Sequence, residues 1–124
     1  MSILLRGEPK RVSSCCCEAC QKRTGAFVGV TAFFAEDQVV DRQGEARVFR
    51  RVAESGNGLD FRFCPACGST VWWLAEARPE MVMVAGGAFA DPELPGPERI
   101  IWTDHRHPWV VTPEGVREYP KSPG

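Results

Sequence analysis

A chain of 124 residues has room for one hydrophobic core, and its 15 Lys and Arg against 16 Asp and Glu leave a formal net charge of −1. That balance excludes the strong positive field by which proteins hold a nucleic-acid backbone, so no nucleic-acid partner is expected. No stretch approaches the ~20 apolar residues of a membrane span, and the apolar run before Arg6 is too short for a secretory signal; the expectation is no membrane partner and a cytoplasmic protein whose thiols stay reduced.

In chain order, the first expected element is a single helical turn over residues 18–24, directly after a run of cysteines. Strands are predicted over 26–34, 46–52, 59–63, 70–74 and 81–85, where Val, Phe, Trp and Thr dominate between Gly and Pro breaks. Leu59-Asp60-Phe61-Arg62-Phe63 alternates, which sets Leu59, Phe61 and Phe63 on one face and delivers Cys64 at the strand end. Trp72 and Trp73 fall on opposite faces, predicting one in the core and one lining a cleft. Beyond Gly86, Pro92, Pro95, Pro97, Pro108 and Pro113 leave space only for short strands near 100–102 and 109–111, and 121–124 reads as a frayed tail. With no repeat and no linker composition, residues 1–124 form a single, mainly β domain.

Six cysteines fall in two clusters: Cys15, Cys16, Cys17 and Cys20, then Cys64 and Cys67. In a reducing compartment such clusters indicate metal ligation in preference to disulfides. Phe63-Cys64-Pro65-Ala66-Cys67-Gly68 has the form of a zinc knuckle. Pro65 fixes φ after the first ligand and Gly68 can take a positive φ after the second, turning backbone N–H groups toward the sulfurs. In the other cluster Cys15 and Cys17 share a face of an extended segment, Cys16 points away, and Cys20 returns across a turn.

Two ligand partitions follow. Cys15, Cys17 and Cys20 can hold a metal with an open fourth position, leaving Cys64 and Cys67 as a separate pair. Alternatively both clusters close one four-thiolate site, although the segment from Gln21 to Phe63 exceeds the ~15–20 residues usual between zinc-ribbon knuckles. An iron–sulfur cluster is a third possibility that the knuckle chemistry fits less well than zinc.

Gly7-Glu8-Pro9, the run Cys15-Cys16-Cys17-Glu18-Ala19-Cys20-Gln21-Lys22-Arg23-Thr24-Gly25, and Arg62-Phe63-Cys64-Pro65-Ala66-Cys67-Gly68-Ser69 together resemble the glutathione-dependent formaldehyde-activating enzyme family, which includes centromere protein V-like domains. Gly86 to Pro92, Ile101-Trp102 and Arg106 to Trp109 extend the likeness. The resemblance implies an Mss4-like fold of several coiled antiparallel β-sheets with two zincs, a structural one at Cys64 and Cys67 and a catalytic one at Cys15, Cys17 and Cys20. It also implies a small thiol such as glutathione and a small aldehyde as substrates. The family's further Cys-x-Cys pair, which lies before the Gly-Glu-Pro turn, is not found between Met1 and Arg6.

The expected activity is therefore that of a zinc-dependent carbon–sulfur lyase forming S-(hydroxymethyl)glutathione. The competing expectation is a non-catalytic zinc module for folding or protein contacts. Lys22 and Arg23 are the candidate partners of a substrate carboxylate. His105 and His107 are weaker candidates for a ligand or base.

Overall fold

The computed structural model describes residues 1–123. It is mainly β, with ten strands and one helix among these residues: β1 (Ser2–Leu5), β2 (Arg11–Cys15), α1 (Glu18–Thr24), β3 (Gly29–Ala35), β4 (Val39–Gln43), β5 (Arg47–Val52), β6 (Gly58–Phe63), β7 (Thr70–Ala75), β8 (Met81–Ala85), β9 (Arg99–Ile101) and β10 (Arg117–Glu118). Eight strands make one sheet in the order β10-β9-β2-β3-β8-β7-β6-β5, and β1 pairs with β4 in a two-stranded sheet. The sheets are two, and not purely antiparallel: β9 runs parallel to both β2 and β10. That parallel pairing is possible because a long irregular connection, 86–98, carries the chain from β8 past β3 to the far side of β2.

Alternation along β3, β7 and β8 gives the large sheet two apolar faces. Val12, Ala32, Phe34, Trp72, Val82 and Val84 fill one, covered by Ile3, Leu5 and Val39 of the small sheet. Phe61, Trp73 and Met83 form the other, flanked by Leu59 and Phe33. Both tryptophans are thus core residues, at 8% and 5% exposure. The expectation of one in the core and one in a cleft presumed a sheet with a single covered face, whereas here both faces are packed.

The remaining differences are local. Residues 109–111 form no strand, since Val110 N–H is spent on a turn to the His107 carbonyl and no sheet edge lies alongside; the closing strand is β10. The chain end is docked at least as far as Lys121, whose ammonium sits 5.3 Å from the Trp102 ring centroid and 3.8 Å from Asp104. Gly124, the last residue of the expected frayed tail, lies outside the described residues. The helix runs two turns, ended by Gly25 at φ +68, which returns its N–H to the Gln21 carbonyl.

Gln38 joins the two sheets. Its buried amide accepts from Ala35 N–H at 2.8 Å and donates to the Arg6 and Glu8 carbonyls at 3.0 and 2.8 Å, closing the turn around Gly7. Gln38→Ala would strand all three backbone groups, so a loss of about 2 kcal/mol is expected as a lower urea midpoint with unchanged slope.

Candidate metal centre

β2 ends at Cys15, Cys17 caps α1, and Cys20 lies in the helix's first turn. Cys17 has extended backbone (φ −61, ψ 154), which swings its sulfur back over the helix start. The three Sγ atoms consequently lie within 4.8 Å of one another, each partly buried. Cys16 is fully buried on the opposite side, where its N–H donates to the Ile101 carbonyl at 3.0 Å, so it is no part of the group.

Backbone donors serve these sulfurs. Cys20 N–H donates to Cys17 Sγ at 3.3 Å, and Cys17 N–H to Cys15 Sγ at 3.5 Å. The neighbouring thiols of Cys15 and Cys20 hydrogen-bond to Cys17 and hold it far below the ordinary thiol range, helped by the Cys20 amide and the charge of Arg51. The Cys15 thiol is pushed up by donating to Cys17 and Cys20 and by burial. For Cys20 a hydrogen bond from Cys15 acts downward, but its own bond to Cys17, burial and the Cys17 charge prevail and raise it. The shared hydrogen bonds thus favour a thiolate at Cys17 and retained protons at Cys15 and Cys20. Three convergent, half-buried sulfurs supplied with N–H donors suit a thiophilic divalent cation.

Cys64 and Cys67 stand apart. Among the described residues no further His, Cys, Asp or Glu atom gathers with them as the triad sulfurs do, and the two clusters do not merge into one four-thiolate site. The turn has Gly68 at φ +80 as its sequence suggests, but Gly68 N–H donates to the Cys64 carbonyl at 2.7 Å and not to a sulfur. The exposed Cys67 thiol is held below its usual range by the Ser69 hydroxyl, 3.4 Å away, and then by the Ser69 backbone.

A cleft of about 610 Å³ opens beside Cys17, walled by Ala19, Arg51, Val52, Glu54, Trp102 and His105, among others. Neither Lys22 nor Arg23 lines it. Lys22 is exposed and paired with Glu18 at 2.7 Å. Arg23 lies flat on the second core cluster, 4.7 Å from the Trp73 centroid and 5.2 Å from that of Phe61, and lines a different cavity of about 540 Å³ that contains no triad sulfur. The two histidines part company. His105 lines the cleft next to Trp102, while His107 Nε2 lies 2.9 Å from Gln21 Oε1, an acceptor, and therefore carries the proton.

Gln21 was not singled out from sequence, yet it fixes the site's frame. Its Nε2 donates to the Cys16 carbonyl at 2.9 Å and the His105 carbonyl at 3.2 Å, tying α1 to the 102–107 loop. Its signal was its place inside the cysteine motif, one residue past a ligand. Trp102 was equally hidden: its left-handed backbone (φ 57, ψ 41) is unfavourable for a bulky residue and presents the indole to the cleft.

The family model for the glutathione-dependent formaldehyde-activating enzyme matches residues 1–105, the stretch that includes both cysteine clusters and most of the cleft. The chain belongs to this family. A search among curated proteins gave no match. Among the described residues, Cys15, Cys17 and Cys20 form a group that could hold a metal ion. No helix among the described residues is long and apolar enough to cross a membrane.

Proposed function

We propose that this protein is a cytoplasmic, zinc-dependent carbon–sulfur lyase of the S-(hydroxymethyl)glutathione synthase type, joining glutathione or a similar thiol to formaldehyde. The observation that carries the reading is the convergence of three sulfurs within 4.8 Å, one of which, that of Cys17, borders a cleft of about 610 Å³, a volume suited to a tripeptide-sized ligand. Cys15, Cys17 and Cys20 would hold the zinc; a cation so bound supplies a Lewis-acid position and lowers the pKa of an incoming thiol.

The chain's own part is positioning and proton handling. The thiol sulfur adds to the carbonyl carbon, a C–S bond forms, the C=O π bond opens, and the S–H proton ends on the new hydroxyl oxygen; nothing is oxidised or reduced. His105, which lines the cleft, would carry that proton from sulfur to oxygen. Val52 and the Trp102 indole give this cleft its apolar wall. Three thiolates against one divalent charge leave the centre net negative, which favours a nucleophilic sulfur over strong carbonyl polarisation and so favours thiol addition over hydrolysis.

Exchange among formaldehyde, glutathione and their adduct, followed by two-dimensional exchange NMR, tests the reading. Cross-peaks should grow faster with zinc-loaded protein than without it; a rate equal to the spontaneous one overturns it for this substrate pair. If chelation unfolds the chain and the loaded form accelerates nothing, the metal is a folding element, the reading favoured by the isolated Cys64 and Cys67 pair.

Zinc loading should also depend on pH in a definite sense. The metal-free triad keeps protons on Cys15 and Cys20 that a loaded triad cannot keep, so loading releases roughly two protons near neutrality and affinity climbs as pH rises. Calorimetry in buffers of different ionisation enthalpy counts the protons.

A further inference from the structure

The cleft beside Cys17 carries two charged groups that no ion pair within the fold neutralises. Of the charged residues lining it, Glu18 is held by Lys22, whereas Arg51 and Glu54 have no ion-pair partner within 4 Å among the described residues. Arg50, the preceding residue, shows the contrast: it points to the other side of β5 and is bound by both Asp60 and Glu76. Arg42, Arg11 and Arg106 each have a carboxylate partner as well. Arg51 instead lines the cleft with its guanidinium 5.1 Å from the Phe61 centroid, a contact to the ring that leaves its N–H donors unspent. Trp102, whose backbone takes a left-handed conformation, lines the same cleft.

Resting on the proposed thiol addition, we infer that this cleft selects thiols bearing an amino-acid head group, Arg51 receiving the carboxylate and Glu54 the ammonium, with the apolar part of the ligand against Trp102. A guanidinium matches a carboxylate through two parallel N–H donors. The opposite charge of Glu54 a few residues along the same wall disfavours phosphate and other polyanions and suits a zwitterion. Neither Lys22, paired with Glu18, nor Arg23 lines this cleft.

The probe is S-methylglutathione, whose blocked sulfur makes binding independent of both turnover and metal. Its dissociation constant is read by NMR titration on zinc-loaded and metal-free protein. The wild type should bind it in both forms; Arg51→Ala, and Arg51→Gln with its stem retained, should weaken binding about 10-fold or more, Arg51→Lys less, and Glu54→Gln by several-fold. Esterifying the probe's carboxylates should mimic Arg51→Gln on wild type and have little further effect on that variant. N-acetylation should do the same for Glu54→Gln.

In the exchange assay Arg51→Gln should raise KM for glutathione but not for 2-mercaptoethanol. Equal affinity of wild type and Arg51→Gln for the probe, equal affinity for the probe and its ester, or no binding to wild type overturns the inference. Arg51-dependent binding without any acceleration of adduct exchange sinks the enzymatic reading and leaves the cleft's selectivity standing. Acceleration that ignores Arg51 does the reverse.

Discussion

Cys17→Ala is expected to abolish metal retention while leaving the fold in place. Cys17 is the sulfur to which the other two thiols and the Cys20 amide all point, so its removal takes away a ligand and the centre of the cluster's hydrogen bonding. Two sulfurs then remain on adjoining turns, and zinc affinity should fall at least about a hundredfold, as measured by competition with a chromophoric chelator. Adduct exchange should return to the spontaneous rate. The folding cost is small by comparison, about 1 kcal/mol for the lost helix cap. Cys16→Ala provides the control: its sulfur faces the core, so zinc retention should persist while the melting temperature drops modestly. A Cys17→Ala protein that still holds one equivalent of zinc with undiminished affinity would mean that the ion is gripped elsewhere.

What the sequence discloses of this site depends on how local the cause is. Cys15, Cys17 and Cys20 converge because an extended segment meets a helix within six residues, a geometry that spacing alone encodes, and the exclusion of Cys16 follows from the same two-residue period. Strands β6, β7 and β8 are legible for the same reason, since apolar alternation and turn residues are local signals. Strands β1, β2 and β4 are not. β2 places Ser13 and Ser14 in the buried middle of a sheet, β4 carries Asp41, Arg42 and Gln43 on an edge, and β1 has four residues whose only pairing partner is β4.

The cleft was still less legible, because its walls come from β5, the turn after it, α1 and the 102–105 loop, which are brought together only by the order of strands. Proximity in sequence to Cys20 pointed to Lys22 and Arg23. Helical geometry turns Lys22 to solvent, and the aromatic pair beneath α1 draws Arg23 away from the cleft. Arg51, more than thirty residues from the cysteines, reaches Cys17 because β5 closes the sheet on that side.

Trp73→Ala should produce the largest loss of stability, about 3–5 kcal/mol, seen as a fall in urea midpoint. Trp73 sits opposite Phe61 on β6 and Met83 on β8, with its ring 5.1 Å from Phe61, so the truncation opens a void at the centre of a small cluster in which no neighbour matches the volume of the lost indole. It also removes the surface on which Arg23 lies, and Arg23 Nε is already buried without a hydrogen-bond partner. Arg23 in turn packs close to Cys20 across Gly29, where a side chain's first carbon would stand 3.3 Å from Cys20 Cβ and 3.4 Å from Arg23 Nη2. The damage should therefore reach the metal centre: Trp73→Ala is expected to weaken zinc retention, whereas Trp73→Phe, which keeps an aromatic face under the guanidinium, should lose less stability and hold its zinc. A cycle of Trp73→Ala, Arg23→Ala and the double variant should show coupling of about 0.5–1.5 kcal/mol in stability, because each residue's burial depends on the other. Strict additivity of the two would mean that Arg23 and Trp73 share a surface without sharing energy, and would cut the link from core to ligand.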